Sequence, residues 1–112
     1  MIYCLATVLY PERGIFRSLS SLYDLIPSKK KKIVPLGYWN TARIIVKRNM
    51  IQHWLNGYKV VEYDRDNNSF ASLVAKSKYK NLENFGKSEK GHILLQNEGS
   101  PISFRNLKIR SI

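Results

Sequence analysis

Residues 39–63 have the sequence WNTARIIVKRNMIQHWLNGYKVVEY, in which two turn signals separate three strand-like runs. Asn56 and Gly57 tolerate the positive φ angles that a two-residue type I′ hairpin requires. Arg48 and Asn49 mark a second turn upstream. Because both connections are too short for a crossover helix, the stretch predicts three antiparallel strands.

Counting from these turns predicts the register of the strands, because directly opposed residues share a sheet face. The predicted pairs are Val46 with Ile51, Ile44 with His53, Leu55 with Tyr58, Trp54 with Lys59, His53 with Val60, Gln52 with Val61 and Ile51 with Glu62. The core face then carries Ala42, Ile44, Val46, Ile51, His53, Leu55, Val60 and Glu62. An amphipathic face carries Trp39, Thr41, Arg43, Ile45, Gln52, Trp54, Lys59 and Tyr63.

The rest of the chain adds strand-like runs at residues 2–9, 21–25, 92–96 and 102–109. Residues 91–110 form a predicted closing hairpin, and the broken alternation after Phe104 indicates a bulge at Arg105 and Asn106. One short helix is predicted over residues 69–79, where apolar residues recur at helical spacing after Asn67 and Asn68. Residues 26–36 form a basic loop and residues 80–91 a polar loop. The fold class is therefore all-β and antiparallel.

Composition limits the partners. Lys and Arg outnumber Asp and Glu by 19 to 8, which gives a formal charge of +11. Such a charge favours anionic partners, but the basic residues are scattered and no nucleic-acid-binding motif accompanies them, so no specific nucleic-acid partner is predicted.

The single cysteine, Cys4, excludes an internal disulfide. Residues 1–10 are too short to span a bilayer and lack a basic leader region, and we interpret them as a strand.

Several short motifs together resemble the 3-keto-disaccharide hydrolase family. They are Leu22-Tyr23-Asp24-Leu25, Trp39-Asn40-Thr41-Ala42-Arg43-Ile44, His53-Trp54-Leu55-Asn56-Gly57 and the closing stretch from Gly91 to Arg110. The resemblance runs from about Ser20 to the C-terminus. It implies a concanavalin A-like antiparallel β-sandwich, or jelly roll, that is usually exported and cleaves glycosides already oxidised at C3.

Length qualifies what the resemblance implies about domain organisation. A sequence of 112 residues suits one small domain, whereas sandwiches of this type commonly need about twice that length. We therefore expect residues 1–112 to form a single domain that corresponds to the C-terminal part of the family's sandwich. Its uncovered sheet edges would favour homo-oligomers.

The amphipathic face supplies candidate substrate-binding residues, because sugars stack on aromatic rings while polar side chains bind their hydroxyls. Arg43, Gln52 and Trp54 fit this description together with Lys59. The alternative is an ordinary half-exposed sheet face with cross-strand pairs.

His53 and Glu62 are the candidate catalytic residues. The predicted register places them diagonally on one face, about 7–8 Å apart at Cα. An imidazole beside a carboxylate can transfer protons. The alternative is a buried histidine that is hydrogen-bonded to a carboxylate within an apolar face.

The remaining substrate-binding candidates are Tyr23, Asp24, Gln96, Glu98 and Arg105.

A 3-keto group acidifies the neighbouring C2 proton, so elimination of the C1 substituent needs one base and an electrophile rather than a retaining carboxylate pair. No metal-ligand spacing supports a metal site, and no cofactor is predicted.

The sequence thus leaves two hypotheses open: a hydrolase that cleaves 3-keto-disaccharides or related 3-keto-glycosides, or a non-catalytic carbohydrate-binding or structural remnant of the same sandwich. Asn97 and Glu98 replace a frequent Asp-His pair of the family, which weakens the transfer of activity.

Overall fold

The computed structural model describes residues 2–6, 19–29, 34–35, 37–96 and 101–112. Within them lie five strands and one helix: β1 (Ile2–Ala6), β2 (Thr41–Lys47), β3 (Met50–Leu55), β4 (Tyr58–Asp64), α1 (Asn68–Ala75) and β5 (Phe104–Ile109). The strands form one sheet in the order β4-β3-β2-β1-β5, and every neighbouring pair is antiparallel. The predicted all-antiparallel sheet is therefore confirmed.

Both predicted turns are present. Asn56 and Gly57 have φ angles of 49° and 86°, as a type I′ turn requires. At the other turn Arg48 has a φ of 54°. The β2–β3 register is also as predicted, with Val46 opposite Ile51.

The predicted β3–β4 register is wrong beyond Trp54. The predicted pair of Trp54 with Lys59 is present. His53, however, lies opposite Val61 rather than Val60, so Val60 is an extra residue in a bulge. Both adjacent valines are buried, with 3% and 4% of their surfaces exposed. A regular strand would place one of them in solvent, so burial of both favours the bulge. The shift moves Glu62 to the amphipathic face and places Tyr63 opposite Ile51 on the core face.

A second bulge, in β5, lies where the sequence predicts it. Arg105 pairs with Leu5 and Lys108 pairs with Tyr3, so two residues of β5 lie opposite Cys4 alone. Asn106 has a positive φ of 55° within this bulge. The extra residue places Arg105 and Lys108, three positions apart, on the same sheet face.

Other predicted elements differ from the structure. Residues 21–25 form turns closed by a bridge between Leu22 and Ile26. Residues 92–96 pair with none of the strands that the structure describes, and β5 pairs with β1, so the predicted closing hairpin is wrong in that arm. Helix α1 ends at Ala75 rather than residue 79. Residues 7–9, 30–33, 36 and 97–100, where parts of the predicted first strand, basic loop and closing turn fall, lie outside the described residues.

The core lies on one face of the sheet, which we call the apolar face; it carries Ala42, Ile44, Val46, Ile51, His53, Leu55, Val61 and Tyr63. Leu55 is fully buried at its centre. Leu19, Leu22 and Ile26 cover Leu55 and the two valines. The segment 19–29 is anchored to β4 by the Lys29 N–H, which donates to the Val60 carbonyl at the bulge over 2.9 Å.

Helix α1 packs at the margin of the core. Asn67 is its N-cap and accepts a hydrogen bond from the Phe70 N–H. Phe70 is buried and stacks on Tyr63 with 5.4 Å between ring centroids. Within the described segments, no helix is long and apolar enough to cross a membrane.

Candidate functional site

The sheet face opposite the core is the candidate site, and we call it the polar face; its central residues are Arg43, Gln52, Trp54, Lys59 and Glu62. Arg43 and Trp54 are opposed on β2 and β3, and the guanidinium lies 4.5 Å from the centroid of the indole ring. Gln52 and Glu62 are opposed on β3 and β4. The three predicted sugar-binding residues Arg43, Gln52 and Trp54 therefore lie side by side.

One hydrogen-bonded chain connects these side chains. Trp54 Nε1 donates to Gln52 Oε1 over 3.0 Å, and Gln52 Nε2 donates to Glu62 Oε2 over 2.6 Å. Lys59 Nζ donates to the same Glu62 oxygen over 2.8 Å. Because both of its amide ends are engaged, Gln52 positions Trp54 and Glu62 relative to each other.

Glu62 is held as a carboxylate. The hydrogen bond from Lys59, followed by that from Gln52, lowers the pKa of Glu62 below its ordinary value, since both donors favour the charged form. The carboxylate is exposed, so a ligand on the polar face can reach it.

The predicted His53–Glu62 pair does not form. The β4 bulge sends Glu62 to the polar face, while His53 lies on the apolar face with 8% of its surface exposed. His53 Nδ1 is 2.9 Å from the Ser20 carbonyl oxygen, and the ring meets Tyr63 edge-on. Burial lowers the pKa of His53, although the hydrogen bond to Ser20 opposes this shift. The neutral ring therefore donates its Nδ1 proton to the carbonyl.

Arg105 extends the polar face. Its guanidinium lies 4.1 Å from the centroid of the Trp39 ring, so it repeats the arrangement of Arg43 on Trp54. The strand register places Arg105 on the same face as Arg43. Arg105 lies opposite Leu5 of β1, and Leu5 lies opposite Thr41 of β2. Thr41 is two residues from Arg43, and residues two apart in a strand share a face.

Tyr23 and Asp24 lie in a different group, away from the polar face. Lys78 Nζ is 2.8 Å from Asp24 Oδ2 and lies over the rings of Tyr23 and Tyr79 at 4.8 and 5.2 Å. The hydrogen bond to Asp24 raises the pKa of Lys78, so the side chain is an ammonium ion. No spacing in the sequence indicated Lys78 or Tyr79, because the contact joins residues more than fifty positions apart.

The last two predicted substrate-binding residues do not join a described cluster. Gln96 is exposed in an irregular segment, and Glu98 lies outside the described residues. No group of three His, Cys, Asp or Glu side chains that could hold a metal ion occurs in the part of the chain that is described.

Sequence reasoning missed the structural role of Asn40, which is buried with 2% of its surface exposed. Its Oδ1 accepts hydrogen bonds from the Val34 N–H and from Asn56 Nδ2, at 3.1 and 2.8 Å. Asn56 Oδ1 in turn accepts from the Thr41 N–H. The two asparagines thus join the loop before β2 to the β3–β4 turn.

Comparison with known proteins agrees with this architecture. The chain is 31% identical to a 3-keto-disaccharide hydrolase of Bacteroides thetaiotaomicron, over 84% of this chain and 36% of the relative. It superposes with a TM-score of 0.77 on the crystal structure of a glycosyl hydrolase candidate from Parabacteroides distasonis, at 23% identity, over 84% of this chain and 43% of that chain. The chain thus spans less than half the length of either protein.

The family match covers nearly the whole chain. Residues 6–110 match the 3-keto-alpha-glucoside-1,2-lyase-like domain, a range that includes β2 to β5, helix α1 and the polar face. The chain therefore belongs to the family of 3-keto-alpha-glucoside-1,2-lyase-like domains.

Proposed function

We propose that the polar face binds the sugar ring of a 3-keto-glycoside and that Glu62 removes a proton from this ring while the glycosidic bond is cleaved. The observation that carries the proposal is the continuous chain of contacts from Arg43 through Trp54 and Gln52 to an ionised Glu62. The names of the family and of the Bacteroides relative support this substrate class.

In this proposal Arg43 and Trp54 hold the sugar. An indole ring offers an apolar plane to the C–H groups of a sugar, while guanidinium N–H groups bind its hydroxyls. Arg43 contacts the Trp54 ring, and its N–H groups have no hydrogen-bond acceptor among the described residues. No described residue therefore competes with a ligand for them.

The reaction is an elimination across C1 and C2. The C3 carbonyl acidifies the C2 proton, which the Glu62 carboxylate accepts. The electrons of the C2–H bond form the C1–C2 double bond, and the C1–O bond breaks as the leaving oxygen takes a proton from water. The Lys59 ammonium, held beside Glu62, stabilises negative charge that develops on the C3 oxygen. Addition of water to the resulting enone completes hydrolysis.

Binding is tested by titrating the chain with a 3-keto-disaccharide while following fluorescence from Trp39 and Trp54. We expect Trp54→Ala to weaken binding at least about tenfold, which corresponds to 1.4 kcal/mol. Tyr58→Ala is the matched control, since Tyr58 is exposed and lies opposite Leu55 on the other face. Equal losses in both variants would contradict a site on the polar face.

Proton transfer is tested separately, by NMR detection of deuterium exchange at C2 of the bound 3-keto sugar in heavy water. We expect Glu62→Gln to abolish the exchange that the protein accelerates while binding is retained. Exchange that persists in Glu62→Gln but disappears in His53→Gln would identify His53, on the apolar face, as the base instead. Binding without any exchange would favour the non-catalytic carbohydrate-binding alternative.

The proposed architecture is one sheet of a concanavalin A-like sandwich within a single domain. Ile44, Val46 and Ile109 lie on the apolar face but remain 37–70% exposed. Ile109 lies opposite Ile2, and Ile2 lies opposite Ile44. Ile44, Val46 and Ile109 therefore extend the apolar face beyond the part covered by residues 19–29. Exposed apolar surface of this kind supports a second layer, supplied either by further chain or by association of copies.

A further inference from the structure

We propose that the polar face is built for an acidic oligosaccharide, in which two successive carboxylate or sulfate groups are bound by Arg43 and Arg105. The proposal rests on the proposed function, because it takes the polar face as the sugar-binding face. It adds the chemical class of the ligand.

The first observation is that this face contains the same unit twice. Arg43 lies on Trp54 at 4.5 Å and Arg105 lies on Trp39 at 4.1 Å. An indole ring against a guanidinium restricts the side chain, and its π face does not use the in-plane N–H donors as hydrogen-bond partners. These donors match the two oxygens of a carboxylate or sulfate group, which a guanidinium binds in a bidentate manner.

The second observation is that neither guanidinium has an acceptor in the part of the chain that the structure describes. Among the described residues, the tryptophan ring is the only partner that either arginine has by hydrogen bond, ion pair or ring contact. Lys59, by contrast, is already paired with Glu62. Two positioned cations with no carboxylate partner among the described residues are a feature of an anion-binding surface rather than of an internally satisfied network.

The spacing of the two units suits a linear ligand. Arg105 and Arg43 are separated by two strand-to-strand steps and by two residues along the strands. Strand geometry then places their Cα atoms on the order of 12 Å apart. This separation allows acidic groups on neighbouring sugar units to meet one guanidinium each. Trp54 lies on β3, beyond Arg43 as seen from Arg105, so the row of both units runs from β3 across to β5.

The charge around the two units has the same sign. Lys108 opposes Tyr3, which opposes Arg43, so Lys108 lies in the same cross-strand row on the polar face. The whole chain carries a formal charge of +11. Bulk charge alone would attract any polyanion, including nucleic acid. The paired Arg–Trp units favour discrete acidic groups over bulk charge, because each guanidinium is held on a ring at a fixed place in the sheet; the proposed sugar-binding role of this face then makes the ligand a saccharide.

The test measures binding of trigalacturonic acid and of its fully methyl-esterified form to the whole chain, by calorimetry at 150 mM salt. We expect the acid to bind at least about tenfold more tightly than the ester. We expect Arg43→Lys and Arg105→Lys each to weaken binding of the acid about five-fold or more, although each keeps the charge, because lysine lacks the planar fork. Lys90→Gln, which removes an exposed charge outside the sheet, is the control and should change binding less than two-fold.

Each contrary result has a distinct meaning. Equal binding of acid and ester would overturn the acidic ligand but leave the sugar-binding face intact. Binding of neither, together with no response to a 3-keto-disaccharide, would remove the proposed function as well. Unchanged affinity in both Arg→Lys variants, or equally tight binding of a single-stranded oligonucleotide with the same arginine dependence, would show that charge alone is recognised and would overturn the proposal.

Discussion

Replacement of His53 tests whether this residue stabilises the fold from the apolar face rather than taking part in catalysis. Its imidazole is 8% exposed, donates to the Ser20 carbonyl and contacts the edge of Tyr63. His53→Phe keeps an aromatic ring of similar size but leaves the Ser20 carbonyl without its donor. Loss of one partner of a part-buried hydrogen bond costs about 1–3 kcal/mol. His53→Ala also leaves a cavity, and we expect a cost of about 2–4 kcal/mol.

The pH dependence of this cost has a definite sign. Burial lowers the pKa of folded His53 below 6.5, so at acidic pH the unfolded chain binds a proton that the folded chain resists. The free energy of unfolding of the unsubstituted protein therefore falls as the pH drops below about 6.5, by up to about 1.4 kcal/mol per pH unit for one proton. His53→Phe lacks this proton, so its destabilisation should shrink between pH 7.5 and pH 5.5.

The assay is urea unfolding at both pH values, followed by near-UV circular dichroism of Trp39 and Trp54. A broad transition in the unsubstituted chain would show that it does not fold cooperatively alone. A destabilisation by His53→Phe that is equal at the two pH values would refute the assignment of His53 as a buried neutral donor. Loss of deuterium exchange at C2 in a fully folded His53→Phe protein would instead restore its predicted catalytic role.

Two further substitutions test the packing of the loops. Asn40→Ala removes the acceptor of two hydrogen bonds from a side chain with 2% exposure, so we expect a loss of about 1–3 kcal/mol in urea unfolding; an effect below about 0.5 kcal/mol would contradict the structural role of this residue. Gly86→Ala would place a Cβ 2.9 Å from Cζ of Phe70 at a φ of 74°, and we expect it to lower the melting temperature more than Gly57→Ala does. Gly57 is the matched control, because its φ of 86° brings similar strain while a Cβ there meets nothing within 4 Å. Equal effects would mean that Phe70 moves aside without cost.

Local sequence signals determined much of the sheet. Asn56 and Gly57 specify their turn because the type I′ conformation needs positive φ at both positions, and alternation from that turn places Arg43, Gln52 and Trp54 on one face. The break in alternation after Phe104 likewise located the β5 bulge.

Tertiary structure decided which of the predicted site residues share a face. The alternation rule assigned His53 and Glu62 to one face, but burial of both Val60 and Val61 favours a bulge that separates them. The adjacent valines were the available signal, although their burial depends on the distant segment 19–29, whose apolar side chains pack against them. Two cation–π contacts join segments that are distant in the sequence. Arg105 lies over the Trp39 ring, and Lys78 lies over the Tyr23 ring. Side-chain periodicity specifies neighbours within a hairpin, whereas contacts between separate segments depend on how the whole chain packs.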